Sequence, residues 1–526
     1  MTFSTKRSVH VGIWCAATAL SAGLWAVGTG LHPIPLVAFL APLPVLWTAP
    51  RYPAWAVGAA AVLSWLGGTT RYWPYFVRTL EQPLTAAAIL LGGSAIAYGA
   101  CVLLFRTLLA RRRIGLAALA FPAAWTCAEY LHRLVGGVGA WWSIGYSQAE
   151  VGPIVRIAAV TGVAGISFLV LAVPAVVAAV TVPGERTAWP HPTADAVATP
   201  KTVTIDGAAG TAHQGRNMCR SRPLGGDARA VSSVRKTVRC WTFGVAVVLI
   251  LGVGGASAWY SAAEGPVVRV AVVALAQPPM YVPVDSAPGA AMIAEAVTMV
   301  GRAADQGAQV VVFTEKAWHA TRSDIALLSG PLDEVATRRG IHVVVGSELE
   351  HPDGNVNAAI AYPGDIVYAK RYLVPGLEAG LRAGRSVVPV PGRPWALAIC
   401  ADLDHPDLVR ENRANGATLL LAPALDFTVD HWLHSRMAVV RAVESGIAIA
   451  RPAQLGELVG VDARGRIAVA VETDITETRM ALADLGTSQG ATPYGRWGDW
   501  FGVPTLTIMS LGVLVALRRP ATAASR

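Results

Sequence analysis

Eight apolar stretches, most of them near the length that crosses a hydrocarbon core, constrain this chain before any other feature does. They fall near residues 10–28, 33–49, 53–69, 84–105, 114–129, 156–182, 241–261 and 502–517. A core of about 30 Å needs roughly 20 residues of helix. The second, third and fifth stretches are short and carry Pro or Gly, so their ends are the least defined. The first follows Lys6 and Arg7, as a signal peptide would, but no small-residue cleavage motif stands before the next stretch; it reads as an uncleaved anchor. Composition agrees. The chain is 53% hydrophobic and 15% charged, where a soluble domain carries about a quarter charged residues. Its 17 Trp suit a protein with membrane boundaries, where indole rings collect.

Basic residues set the orientation. With the N-terminus in the cytoplasm, Arg51, Arg106, Arg111, Arg112, Arg113, the basic 183–240 stretch, Arg518 and Arg519 all fall inside. Segments 69–83, 129–155 and 262–501 fall outside. Membrane topology accounts for the net charge of +9, so no nucleic-acid partner is expected. The expected plan is a polytopic α-helical membrane domain over 1–182 with about six helices, a disordered basic cytoplasmic loop over 183–240, and a seventh helix over 241–261. An extracytoplasmic α/β domain follows over 262–501 with its core at 266–486, then an eighth helix and cytoplasmic tail over 502–526. The 183–240 loop, with Pro190, Pro192 and Pro200, reads as a solvated linker or a contact for anionic lipid.

Strand and helix signals alternate through 266–486. Runs 267–275, 309–313, 341–346, 395–399, 418–422 and 447–450 read as strands, and 290–306 and 434–445 as helices. Segments 357–362 and 366–368 flank Pro363-Gly364-Asp365 and read as a hairpin. This alternation predicts α/β layers. Cys15, Cys101, Cys127, Cys219, Cys240 and Cys400 show no metal-ligand or redox spacing, and no metal or cofactor is expected.

Three polar residues stand at strand ends: Glu315 after QVVVFT, Lys370 after DIVYA and Cys400 after WALAI. A thiol nucleophile needs a base for its proton and a positive group where an oxyanion forms. Glu, Lys and Cys supply those roles, although spacing alone leaves open whether they meet in space.

Longer segments carry a resemblance. VVVFTEKAW, GDIVYAKRYLVPGLEAGLRAG, ALAICADLD and HWLHSRMAVVRAVESGIAIARPA resemble the nitrilase (carbon–nitrogen hydrolase) superfamily. Together with PLVAFLAPLPVL, AAWTCAEYLH and WWSIGYSQ, they make the whole chain similar to the apolipoprotein N-acyltransferases. The resemblance implies an α-β-β-α sandwich, with Glu315 as general base, Lys370 as oxyanion stabiliser, Cys400 as nucleophile and Glu378 as a supporting carboxylate. It implies a phospholipid acyl donor, a diacylglyceryl apolipoprotein acceptor, a cofactor-free reaction and a monomer in the bacterial cytoplasmic membrane with its catalytic domain on the outer face. Ala401 and Asp402 replace the family's usual Tyr-Glu, with Asp402 keeping the carboxylate. VPGLE stands for VPFGE, and PALDFTVDHW for a loop with Asn-Asp and an aromatic ring, which suggests a side branch. A membrane-tethered carbon–nitrogen hydrolase with the same triad is the alternative, and a non-catalytic scaffold the third reading.

Other residues are weighed individually. Trp318, Asp426 and Phe427 are candidates for lining the substrate pocket, with packing as the competing role for Trp318. His431 and His434 read as solvated rather than as metal ligands. Glu129 either pairs with Arg133, the favoured reading, or binds substrate, and Trp141, Trp142 and Tyr146 either guide lipid or form a boundary belt.

Overall fold

The computed structural model describes residues 3–181, 264–278 and 281–518, with side chains from Ser8 onward. The expected 183–240 loop and 241–261 helix lie outside the described residues.

The N-terminal part is helical: α1 (Phe3–Gly28), α2 (Leu43–Thr48), α3 (Ala54–Thr69), α4 (Leu84–Ala110), α5 (Ile114–Val135), α6 (Gly152–Val155), α7 (Ala158–Thr161) and α8 (Val163–Thr181). Four described helices, within Ser8–Gly28, Leu84–Ala110, Ile114–Val135 and Val163–Thr181, are long and apolar enough to cross a membrane. At 1.5 Å per residue, the 16 residues of α3 reach only about 24 Å.

Two expected spans differ from the structure. Segment 33–49 is no continuous helix: it folds as a 3-10 turn (Val37–Phe39), then α2, then a second turn (Ala49–Arg51). Pro33, Pro35, Pro42, Pro44 and Pro50 remove the amide donors a helix would need. The stretch read as 156–182 breaks at Gly162, whose φ is +69°, and the long helix starts only at Val163. Tryptophan placement differs as well. Trp25, Trp65, Tyr98 and Trp125 pack together in the bundle interior, with Trp65 and Trp125 centroids 4.5 Å apart.

The soluble domain runs β1 (Glu264–Ala274), β2 (Val282–Pro283), α9 (Ala287–Asp305), β3 (Val310–Phe313), β4 (Trp318–Ala320), α10 (Ile325–Arg339), β5 (His342–Leu349), β6 (Val356–Tyr362) and β7 (Ile366–Ala369). It continues through β8 (Pro389–Val390), β9 (Trp395–Leu397), α11 (Pro406–Ala414), β10 (Leu419–Leu421), β11 (Ala424–Leu425), α12 (His431–Ser445), β12 (Ala448–Gln454), β13 (Glu457–Val461), β14 (Ile467–Glu472) and β15 (Arg479–Ser488). Helices α13 (Pro493–Trp497) and α14 (Gly502–Leu517) follow.

One sheet has the order β15-β1-β3-β5-β4-β2, with β6 paired to β5 and β7 to β6. The other runs β14-β13-β12-β10-β9-β8, with β11 paired to β12. Strand alternation divides the side chains. Val270, Val272, Val310 and Val312 meet Leu397, Ile399, Leu419 and Leu421 between the sheets. Ala271, Val273 and Phe313 point the other way, onto α9 and α10. Beyond the second sheet, Leu408 and Val409 of α11 and Met437 and Val440 of α12 join a core that continues into the membrane helices. Helices α11 and α12 therefore lie between the second sheet and the bundle.

Polar contacts reinforce that junction. Tyr75 Oη donates to Asp430 Oδ2 at 2.7 Å, Val163 N to Glu444 Oε1 at 2.6 Å, and Arg441 Nη2 to Tyr146 Oη at 2.7 Å. Arg441 also pairs with Glu444 at 2.7 Å. At the far end of the bundle, Arg106 donates to Tyr52 O and Arg111 to Val515 O, so basic side chains gather away from the soluble domain.

Candidate active site

Each candidate catalytic residue sits just past a strand of the paired sheets. Glu315 is the second residue after β3, and its amide donates to Ala424 O at 3.1 Å. Gly346 of β5 makes this approach possible: a Cβ there would lie 2.5 Å from Glu315 Cα and from Thr314 O. Lys370 follows β7, its amide on Asn357 O at 2.8 Å. Cys400 opens a 3-10 turn after β9 with φ at +44°, a strained conformation for a side-chain-bearing residue that turns the thiol away from the sheet path.

The structure brings Glu315, Lys370 and Glu378 into one buried network. Lys370 Nζ donates to Glu315 Oε1 at 2.8 Å and lies 2.9 Å from Glu378 Oε2. Asn357 Nδ2 bridges the carboxylates, 2.6 Å from Glu315 Oε1 and 2.8 Å from Glu378 Oε1. Lys316 Nζ reaches Glu378 Oε1 at 2.7 Å, and Leu425 N donates to Glu315 Oε2 at 2.8 Å. Burial raises the Glu378 carboxyl pKa, but Lys370 and Lys316 outweigh it and hold the group at about 2. Burial lowers the Lys370 pKa, yet Glu315, Cys400 and Glu378 outweigh that and keep its ammonium charged. Burial first and then Glu315 push the Cys400 thiol far up, against Lys370 and Arg451. A protonated thiol beside a carboxylate calls for proton transfer during attack rather than a resting thiolate.

Asp402 ties the cysteine turn to the lysine strand. Its Oδ2 accepts from Tyr368 Oη (2.6 Å) and Ile399 N (2.9 Å), its Oδ1 from Tyr372 N (2.9 Å) and Arg371 N (3.2 Å).

Cys400 lines a cavity of about 710 Å³. Ala401, Leu425 and Phe427 surround its catalytic end. Leu90, Gly93 and Ala97 of α4, Trp125 and Val135 of α5, and Trp141 and Trp142 form the membrane side. The strap Tyr372–Pro375 forms another wall. It is held by Val374 N on Glu378 Oε2 at 2.8 Å and by Gln82 Nε2 on Pro375 O at 2.7 Å.

Other expectations fare differently. Trp318 is fully buried beneath α9 and α10 and does not line the cavity, because β4 turns its ring outward into that layer. Asp426 stands behind the cavity wall in a bidentate pair with Arg451 (2.8 and 2.5 Å). His434 is not solvated: its Nδ1 lies 3.2 Å from Asp426 Oδ1, and its Nε2 accepts from Trp141 Nε1 at 3.2 Å. Asp426, Asp430 and His434 do place three ligand-type atoms within 4.8 Å of one another. Arg451 and the Tyr75 hydroxyl already occupy the carboxylates, so the cluster works as an ion-pair knot. Glu129 accepts from Trp125 Nε1, Ser143 Oγ and Ile144 N, each at 3.0 Å, while Arg133 pairs with Asp499. Sequence reasoning passed over Asn357, whose one signal was an amide inside the apolar run VNAAIAY. Arg451 and Asp404 were also passed over.

Residues 21–176 match the family profile described as apolipoprotein N-acyltransferase N-terminal domain, and residues 269–492 match carbon-nitrogen hydrolase. A protein named apolipoprotein N-acyltransferase from Pasteurella multocida (strain Pm70) is 24% identical over 463 residues, covering 79% of this chain and 78% of its own. Over most of its length the chain is similar to the apolipoprotein N-acyltransferases. Another relative of that name, from Methylococcus capsulatus, is 26% identical over 442 residues, covering 76% and 74% of the two chains. An amidase from Nesterenkonia sp. aligns with 45% of this chain and 94% of its own at 22% identity and a TM-score of 0.34. The two profile matches and the apolar helices make the chain a membrane protein with a nitrilase-type α/β domain.

Proposed function

We propose that this chain transfers an acyl chain from a phospholipid, through a thioester on Cys400, to the N-terminal amine of S-diacylglyceryl-cysteine in an apolipoprotein. The observation that carries this reading is the cavity: one space joins Cys400 to the faces of two membrane helices. A hydrolase of small soluble amides has no use for such a route.

In the first half, Cys400 Sγ attacks the ester carbonyl and its proton passes to Glu315. The carbonyl C–O bond breaks, and Glu315 returns the proton to the departing lysophospholipid oxygen. Lys370 holds positive charge beside the developing oxyanion. In the second half, the acceptor amine forms the N–C bond, the C–S bond breaks, and the amine proton returns through Glu315 to Sγ. An acceptor arriving as ammonium releases one further proton. The supporting residues in this scheme are Glu378 and Asp402, and Phe427 and Asp426 shape and brace the pocket.

An eight-span topology with the soluble domain on the outer face of the cytoplasmic membrane goes with this reading. The clustering of Arg106 and Arg111 at the end of the bundle away from that domain supports it. A monomer goes with this reading, in which the groups named for the reaction all come from one chain.

The test uses purified protein in detergent with added phospholipid, followed by a synthetic diacylglyceryl-cysteine peptide. The mass of the Cys400 peptide should rise by one acyl group, and the label should then move to the peptide amine. C400A should show neither. Acyl loss to water with none on the peptide would establish a hydrolase instead, and no acylation at all would sink the proposal.

A further inference from the structure

The charged residues around the nucleophile pair off with one exception. Lys370 and Lys316 are matched by Glu315 and Glu378, Arg451 by Asp426, Arg441 by Glu444, and His434 by Asp430. Asp402 is met by four donors. Asp404, four residues after Cys400, is the exception: among the described residues its carboxylate has neither a hydrogen bond nor an ion pair. It is half-buried and lines the cavity together with Cys400, Ala401 and His405.

Its backbone is fixed from the membrane side. Ala140 N donates to Asp404 O at 2.7 Å. Gly139, with φ at +61°, lets that carbonyl come close; a Cβ there would lie 2.2 Å from the oxygen. The residue is thus pinned by its main chain, with its side chain left free at the cavity wall. Burial pushes the carboxyl up to about 6, against the opposing pull of His434, Arg451 and Lys370, so it is mostly ionised at pH 7. A half-buried carboxylate that no side chain pairs is open to a cation entering the cavity.

We propose that Asp404 receives a primary ammonium group brought to Cys400 through the cavity, in the first place the protonated α-amine of the acceptor cysteine. This rests on the acyltransferase reading above. An α-amine has a pKa of about 8 and enters charged at neutral pH. Pairing with Asp404 holds its nitrogen in the cavity that Cys400 lines and selects for an unmodified N-terminus. The ethanolamine headgroup of a donor lipid offers the same chemistry, and the experiment separates the two sources.

D404N keeps the side-chain shape and removes the charge. Acylation of Cys400 is followed by mass with phosphatidylglycerol and, separately, with phosphatidylethanolamine; transfer to a free-amine diacylglyceryl-cysteine peptide is then timed. The expected result is that D404N slows transfer at least tenfold more than it slows acylation by either lipid, with D404E recovering part of the loss. A selective loss of acylation from phosphatidylethanolamine would keep the ammonium site and assign it to the donor. Equal slowing in every arm, or no slowing, would overturn the proposal. A binding comparison covers the case in which the wild type forms no thioester and the acyltransferase reading itself fails. C400A should bind the free-amine peptide at least tenfold more tightly than its N-acetylated form, and C400A/D404N should bind both alike. If C400A shows no preference between the peptides, Asp404 holds no ammonium.

Discussion

Asn357 holds two buried carboxylates with a single amide group, so its removal should be felt at once. A hydrogen bond to a charged group is worth about 1.5–3 kcal/mol. N357A should therefore slow formation of the acyl-cysteine by about 30-fold, on the scale of roughly 1.4 kcal/mol per tenfold, measured in a single turnover. Glu315 gives a sharper contrast. It raises the thiol pKa while serving as its base, so E315Q should make Cys400 react faster with a small alkylating reagent near pH 8 and yet abolish acylation by lipid. Faster acylation in that variant would mean that a resting thiolate attacks. At this scale the sequence showed the strand-end Glu, Lys and Cys, because a polar residue after an apolar strand is visible in one dimension. Asn357, Arg451 and Asp404 were hidden because their partners lie far along the chain. Trp318 misled because an aromatic next to a catalytic motif reads the same whether its ring faces the cavity or the helices behind the sheet.

Among elements, the turn after β9 and the segment after β7 depend on one carboxylate. Asp402 accepts four donors, and each needs a lone pair. Burial, opposed by the Tyr368 hydroxyl and backbone amides, lifts its pKa to about 6. Below that pH the added proton displaces a donor, so acyl-cysteine formation should fall as pH drops from 7 to 5. D402N should be slow throughout and lose that limb of the pH profile; an unaltered limb in D402N would place the titration elsewhere. The β elements were legible because β-branched runs and the Pro363-Gly364-Asp365 turn are local signals. The break-up of 33–49 was not, because hydropathy counts a proline as a neutral residue, whereas the helix loses an amide donor at each one.

For the whole molecule, the buried Arg441–Glu444 pair at the junction of the two parts couples stability to pH. Burial raises the Glu444 carboxyl to about 7 despite Arg441. Between about pH 4.5 and 7 the folded protein thus holds a proton that the unfolded chain has released. Stability from this group is full below about pH 4.5 and is lost as pH rises through 7. The thermal midpoint in detergent should drop over that window, and E444Q should flatten the drop. R441M should lower the midpoint at pH 8 more than E444Q does, since it leaves an unmatched buried carboxylate.

Among the described residues, the shared core joining α11 and α12 to the membrane helices fixes the catalyst against its anchor. A bilayer is layered by chemistry, with ester carbonyls, headgroups and chain ends each at their own depth. A thiol held at one height samples one layer. Depth then acts as a filter that no side chain in the pocket has to supply, and bonds at the wrong level escape reaction however well their shapes would fit.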